Sequence, residues 1–170
     1  MIKEENFVGT QNLYKKTKQR IWRYAPLLAW MIFIFIASTG QMSASNTSRF
    51  IRPLVLWIYP NITEENLKFV HFMVRKASHF TEYAVLALFA ARAFIGSSIT
   101  FLRGRWFLSS LLLVIIYALS DEFHQSFVST RTGTVYDSMI DTAGGLTALF
   151  VFYLWRERKK KTFKEGEFVR

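Results

Sequence analysis

The chain contains no cysteine, which excludes a disulfide framework and any thiolate metal site. It has no internal repeat and no low-complexity tract, and its 170 residues allow one domain. Acidic side chains are few, 12 against 22 lysines and arginines, for a net charge of +10. A basic excess of that size is usually a footprint for nucleic acid. Here, however, 51% of the residues are hydrophobic and 17% aromatic, and the mean hydropathy is positive. The basic residues fall in tails and loops beside apolar runs, where membrane topology accounts for them better. The expected partner is therefore the lipid bilayer and not nucleic acid.

Four apolar segments are predicted to cross that bilayer. Residues 1–24 form a basic cytoplasmic tail, expected to be mobile at its start. Residues 24–39 carry no charge, and with Ile21, Trp22, Gln41 and Met42 the segment reaches the roughly 20 residues a span requires. Pro26 is placed near its beginning, where a helix tolerates proline. A basic region before an apolar run also fits a signal peptide, with Ser43-Ala44-Ser45 as a poor cleavage site, but the later segments need the membrane in any case. Phe50, Ile51, Leu54, Val55, Trp57, Ile58 and Tyr59 are too few to span and predict a helix lying in the interface, ended by Pro60. Thr63-Glu64-Glu65 then offers a cap and an acidic first turn for a helix that runs through Arg75, Lys76 and His79 into the apolar run 84–95, the second span. After a short basic turn, residues 106–120 form the third span and residues 136–155 the fourth. The fold expected is all-α, a polytopic four-helix transmembrane bundle over residues 25–155 with an interfacial helix in its first outer loop. Residues 156–170 form a second basic cytoplasmic tail.

The charge distribution orients this bundle. Both tails, the 96–105 turn and Arg92 hold 16 of the 22 basic residues, so both termini are placed in the cytoplasm. Trp22, Trp106 and Trp155 then fall at the inner boundary, as interfacial aromatics should. The start of span two, the end of span three and the start of span four all reach the outer face. Arg75, Lys76, His79, Glu82, Tyr83, Asp121, Glu122, His124, Gln125, Arg131, Asp137 and Asp141 are thereby gathered into an outer polar pocket built from spans two, three and four.

Helical spacing sharpens the grouping. Arg75, His79 and Glu82 recur at i, i+4 and i+7, and Lys76, His79 and Tyr83 at i, i+3 and i+7, so both stripes share one face. Asp121, His124, Gln125 and Val128 share a face if span three stays helical beyond Ser120. Asp137, Asp141, Gly144 and Ala148 line one face of span four. Two carboxylates four residues apart repel, so Asp137 and Asp141 require a cation, a proton or a metal nearby, with Arg75, Lys76 and Arg131 as candidates. Gly144, Gly145 and Ala148 provide small-residue spacing that lets another helix approach closely.

The ordered set Lys76-x-x-His79-Phe80-x-Glu82-Tyr83, Asp121-Glu122-x-x-Gln125-x-Phe127 and Arg131-x-Gly133-x-x-x-Asp137-x-x-x-Asp141-x-x-Gly144-Gly145 resembles the VanZ-like family of bacterial membrane proteins. The resemblance covers about residues 25–155. It implies a bacterial cytoplasmic membrane protein linked to the Gram-positive envelope, because the family's namesake is associated with resistance to the glycopeptide teicoplanin. It implies no reaction. Asp141 stands where many members carry Asn, and Ala148 where a further Gly is common.

Several roles suit the polar residues. They can form a buried network that pins the spans together, although neutral polar contacts between membrane helices are worth only about 0.6–2 kcal/mol. They can bind an anionic lipid or a lipid-linked cell-wall precursor, with Arg75, Lys76 and Arg131 gripping phosphate or carboxylate. Histidine and carboxylate also suit zinc, yet no tight ligand motif such as His-Glu-x-x-His is present, and neither metal nor cofactor is expected. His79 or His124 beside Glu82 or Asp121 has the chemistry for acid–base catalysis on a lipid-linked phosphate, but no activated serine or cysteine nucleophile is visible. Four short spans leave little room for transport. The expectation is an accessory envelope protein that binds a headgroup without chemistry.

Overall fold

The computed structural model describes the backbone over residues 2–39, 44–128 and 134–168 and the side chains over 15–39, 48–49, 51–128 and 134–162. Its elements are six helices: α1 (Ile2–Ser38), α2 (Ala44–Ile58), α3 (Glu64–Ile95), α4 (Thr100–Gly104), α5 (Trp106–Gln125) and α6 (Val135–Phe168). Among the described residues there is no strand.

Helix α1 starts far earlier than expected. The tail up to residue 20 is rich in Lys, Gln and Glu, which favour helix, and its backbone continues into the apolar segment without a break. Pro26 is therefore an interior residue and not a first-turn one. It lacks the N–H that would bond the carbonyl of Trp22, a defect that normally kinks or breaks a helix. The Arg92 guanidinium fills the gap, donating from Nη1 to that carbonyl at 3.3 Å.

The start of α3 matches the sequence. Thr63 is extended (φ −70°, ψ 153°), its hydroxyl accepts from the Asn66 N–H at 3.3 Å, and Glu64 and Glu65 occupy the first turn. Helix α5 remains helical to Gln125, which brings Asp121 and Gln125 onto one face.

Cross-helix pairs fix the directions. Lys76–Asp137, His79–Asp141, Phe80–Gly144 and Tyr83–Gly145 advance together, so α3 and α6 run parallel. Trp30 donates to the Glu82 carbonyl and Arg92 to that of Trp22, so α1 runs against α3. Ser38 with Gln125, and Met31 with Tyr117, place α1 parallel to α5. The helices α1 and α5 thus point one way, and α3 and α6 the other.

Helix α3 is the shared centre. Tyr83, Leu86, Ala87, Ala90 and Ala91 are fully buried, and the three alanines keep the helix slender enough for neighbours to pack closely against it. The closest approach is to α6. A Cβ built on Gly144 would lie 2.9 Å from the Phe80 carbonyl carbon, and one on Gly145 would lie 2.7 Å from Val114 Cγ1. The close helix approach expected at this glycine pair is present.

The outside of the bundle is apolar. Leu28, Ile32, Leu112, Ile116, Phe150 and Val151 are each more than half exposed. Contiguous apolar surface of this kind marks a membrane or partner contact and not a water-facing monomer. Among the described residues three segments are long and apolar enough to cross a membrane: Lys15–Ser38, Trp106–Gln125 and Val135–Thr162. The segment expected as the second span falls short by composition, since only nine uncharged residues separate Glu82 from Arg92.

Candidate functional site

Parallel α3 and α6 carry matching polar rungs. On the first, the Lys76 ammonium pairs with the Asp137 carboxylate, both about four-fifths buried (19% and 15% exposed). One turn further along, His79 Nδ1 lies 3.5 Å from Asp141 Oδ1, and Asp141 is fully buried. Gly144 and Gly145 cause this closeness: with no Cβ between them, the backbones approach far enough for short side chains to meet. The cation required near Asp137 is Lys76, and the group facing Asp141 is an imidazole.

Antiparallel α5 supplies the third side. Gln125 Nε2 donates to Asp121 Oδ2 at 2.9 Å and reaches Ser38 Oγ of α1 at 3.4 Å, with all three residues buried. One ligand atom each from His79, Asp121 and Asp141 falls within 4.8 Å of the others. Tyr83, a turn beyond His79, is fully buried, and its hydroxyl finds no hydrogen-bond partner among the described residues. The same is true of both Asp141 oxygens and of His79 Nδ1. Unmet buried polar atoms are rare in folded proteins, and each calls for an explanation.

The remaining expected residues divide. Glu122 turns to the α5–α6 connection, where Oε2 accepts from the Thr134 N–H at 2.8 Å. His124 packs against Phe35 of α1 in a tilted ring contact, centroids 4.7 Å apart. Arg75 buries its Nε with no hydrogen-bond partner among the described residues. The Glu82 carbonyl accepts from the Trp30 indole at 2.9 Å. Arg131 lies outside the described residues.

The geometry also adds α1, which was not expected at the site. Ser38 closes the end of the Gln125–Asp121 chain, and Phe35 covers His124. A serine ending an apolar run was the one available signal for this.

The sequence model of the VanZ/LLP1 family matches residues 22–156. The chain belongs to the VanZ/LLP1 family. That match takes in every residue of the cluster and the whole of the predicted bundle, residues 25–155. Neither the curated proteins nor the solved structures contain a match to this chain. Family membership together with the apolar helices identifies a VanZ-family membrane protein.

The cluster combines three acids, Asp121, Asp137 and Asp141, with one paired lysine and one imidazole in a site largely shielded from water. At low local dielectric such a set is stable only with its charges balanced and its lone pairs met. Concave regions lie elsewhere, among them one lined by Lys15, Lys18, Trp22, Arg23 and Arg92, one between α2 and α3, and one beside Met31 and Tyr117.

Proposed function

We propose that this VanZ/LLP1 protein crosses the bacterial cytoplasmic membrane four times with both termini inside. We further propose that it acts as an accessory protein of the envelope, binding an anionic lipid or lipid-linked precursor headgroup at the outer leaflet without catalysis. Helix directions support the fourth crossing. A chain that crosses in the same sense through α1 and α5 has to return between them, and α3 is the long helix running back. From Lys76 to Ile95 it covers about 29 Å at 1.5 Å per residue, close to the hydrocarbon thickness. Its one acid within that length, Glu82, is partly covered by the neighbouring helices, and Arg92 lies near the inner end, within reach of the interface. Helix α2 lies in the outer interface in this reading, with Leu54, Trp57 and Ile58 exposed and Arg52 paired to Glu64 at 2.6 Å.

The observation that carries the binding role is the largely buried cationic pair, Arg75 and Lys76, above the cluster. Lys76 is held in place by Asp137, and Arg75 Nε has no hydrogen-bond partner among the described residues. Two adjacent cations at the outer end of α3 suit a phosphate or carboxylate, and Arg131 is the third expected contributor. Exposed Phe123, Phe127 and Tyr136 flank this end, as side chains do at headgroup depth. A link to glycopeptide, and specifically teicoplanin, tolerance follows from the family resemblance.

Expression in a teicoplanin-susceptible Gram-positive host tests the reading. Wild-type protein raises teicoplanin tolerance, and Arg75→Ala removes the effect while the helical protein remains in the membrane. No rise with wild type, or full activity of the Arg75→Ala variant, refutes it. A purely structural network is the second reading, favoured by the Lys76–Asp137 and Gln125–Ser38 cross-links; it predicts loss of folded protein instead.

A further inference from the structure

We propose that His79, Asp121 and Asp141 form a binding site for a single divalent transition metal, of which Zn2+ is the best fit, joining α3, α5 and α6. The three residues are far apart in sequence and come from three helices, yet their ligand atoms gather within 4.8 Å. Four-coordinate zinc with bonds of about 2.1 Å places its ligands about 3.4 Å apart, so modest side-chain rotation closes the set. One imidazole and two carboxylates are a donor set that zinc and its neighbours accept, whereas magnesium and calcium favour oxygen alone.

The second observation is independent of the clustering. Asp141 is fully buried, and neither of its oxygens has a hydrogen-bond partner among the described residues, nor does His79 Nδ1. Tyr83 adds a fully buried hydroxyl close to Asp121 and Asp141. A buried carboxylate such as Asp141, whose ion-pair partner is a histidine nitrogen 3.5 Å away, is poorly compensated in a shielded interior. A divalent ion neutralises Asp141 and Asp121 at once, leaving His79 as a neutral donor.

The surroundings resemble a supporting shell. Gln125 holds Asp121 through Oδ2 at 2.9 Å, which leaves Asp121 Oδ1 for an ion, and Ser38 extends the chain to α1. The Lys76 cation is kept a turn away by its own partner, Asp137. Three protein ligands leave a position for water or for the Tyr83 hydroxyl. The role assigned to the ion is to tie three helices together below the cationic rim. It does not depend on the headgroup reading, because metal binding is read directly.

Tag-free protein purified in detergent, stripped with chelator and returned to Zn2+ alone, provides the test. One zinc per chain is expected by elemental analysis, and Co2+ in its place should give the visible absorption of a low-symmetry site. His79→Ala and Asp141→Asn should abolish stoichiometric binding, and Gln125→Ala should weaken it by about 10–100-fold. His71→Ala, on α3 outside the cluster, should bind as wild type, with helical content checked by circular dichroism. Wild-type protein that retains no zinc at saturating metal overturns the proposal without reference to any variant. Stoichiometric binding that survives Asp141→Asn, or that is lost with His71→Ala, overturns it as well.

Discussion

Replacing Gly144 by alanine should destabilise the protein even though alanine is the better helix former. The added methyl would meet the Phe80 carbonyl carbon at 2.9 Å and Cα at 3.0 Å. Carbon contacts are most favourable at about 3.5–4.0 Å, so α3 and α6 would have to part by roughly 0.5–1 Å. The obstacle is backbone, which no rotamer change removes. Overpacking of this kind costs about 1–3 kcal/mol, and the helix propensity of alanine returns about 1 kcal/mol, leaving a net loss of up to about 2 kcal/mol. Gly145→Ala differs because its obstacle, Val114 Cγ1 at 2.7 Å, is a side chain. Val114→Ala should therefore partly rescue Gly145→Ala and leave Gly144→Ala unimproved. Gly104, with nothing within 4 Å of a built Cβ, is the control, and its alanine variant should be neutral or about 0.4–1 kcal/mol more stable. Unfolding in mixed micelles with increasing denaturing detergent, followed by helical circular dichroism, measures all four. Equal stability of Gly144→Ala and Gly104→Ala would refute the close helix contact.

The coupling between Pro26 and Arg92 should appear in a double-mutant cycle: Arg92→Ala costs about 0.5–1.5 kcal/mol in the wild-type background and close to nothing after Pro26→Ala, which restores the missing N–H to the Trp22 carbonyl. A cost unchanged by Pro26→Ala would show that Arg92 acts elsewhere. Asp137→Ala alone should cost about 1–3 kcal/mol by leaving Lys76 unpaired in a shielded site, and the Lys76→Ala/Asp137→Ala double variant should cost less than the sum, read by the same unfolding assay. Arg52→Ala breaks an ion pair whose side chains are half or more exposed, so its effect should remain within about 0.5 kcal/mol.

Much of this architecture can be read from local signals. Thr63 with two following glutamates marks the start of α3 because an N-cap is a short-range hydrogen bond, and Gly144-Gly145 marks the α3–α6 contact because absence of a Cβ has direct steric meaning. Asp137 and Asp141 foretell a nearby cation, and Lys76 meets the first of them. What escapes the sequence is long-range. Ser38 and Phe35 reach the cluster only because α1 runs parallel to α5, a direction no local pattern encodes. His79, Asp121 and Asp141 form no spacing motif, since each comes from a different helix. Apolarity is also misleading for α3: a helix enclosed by others need not be hydrophobic all round, and Ala87, Ala90 and Ala91 serve closeness and not lipid contact. Pro26 suggests a helix start when the partner of the orphaned carbonyl, Arg92, lies 70 positions away.

The direction of α3 through the bilayer is the point on which the outer placement of the cluster rests. Because the chain has no cysteine, Asn61→Cys and Gly104→Cys each introduce a unique thiol, one before α3 and one after it. With intact cells and a membrane-impermeant maleimide, the thiol at position 61 should be labelled from outside and that at position 104 only after the membrane is opened. Labelling of both positions from the same face would contradict the four-crossing arrangement.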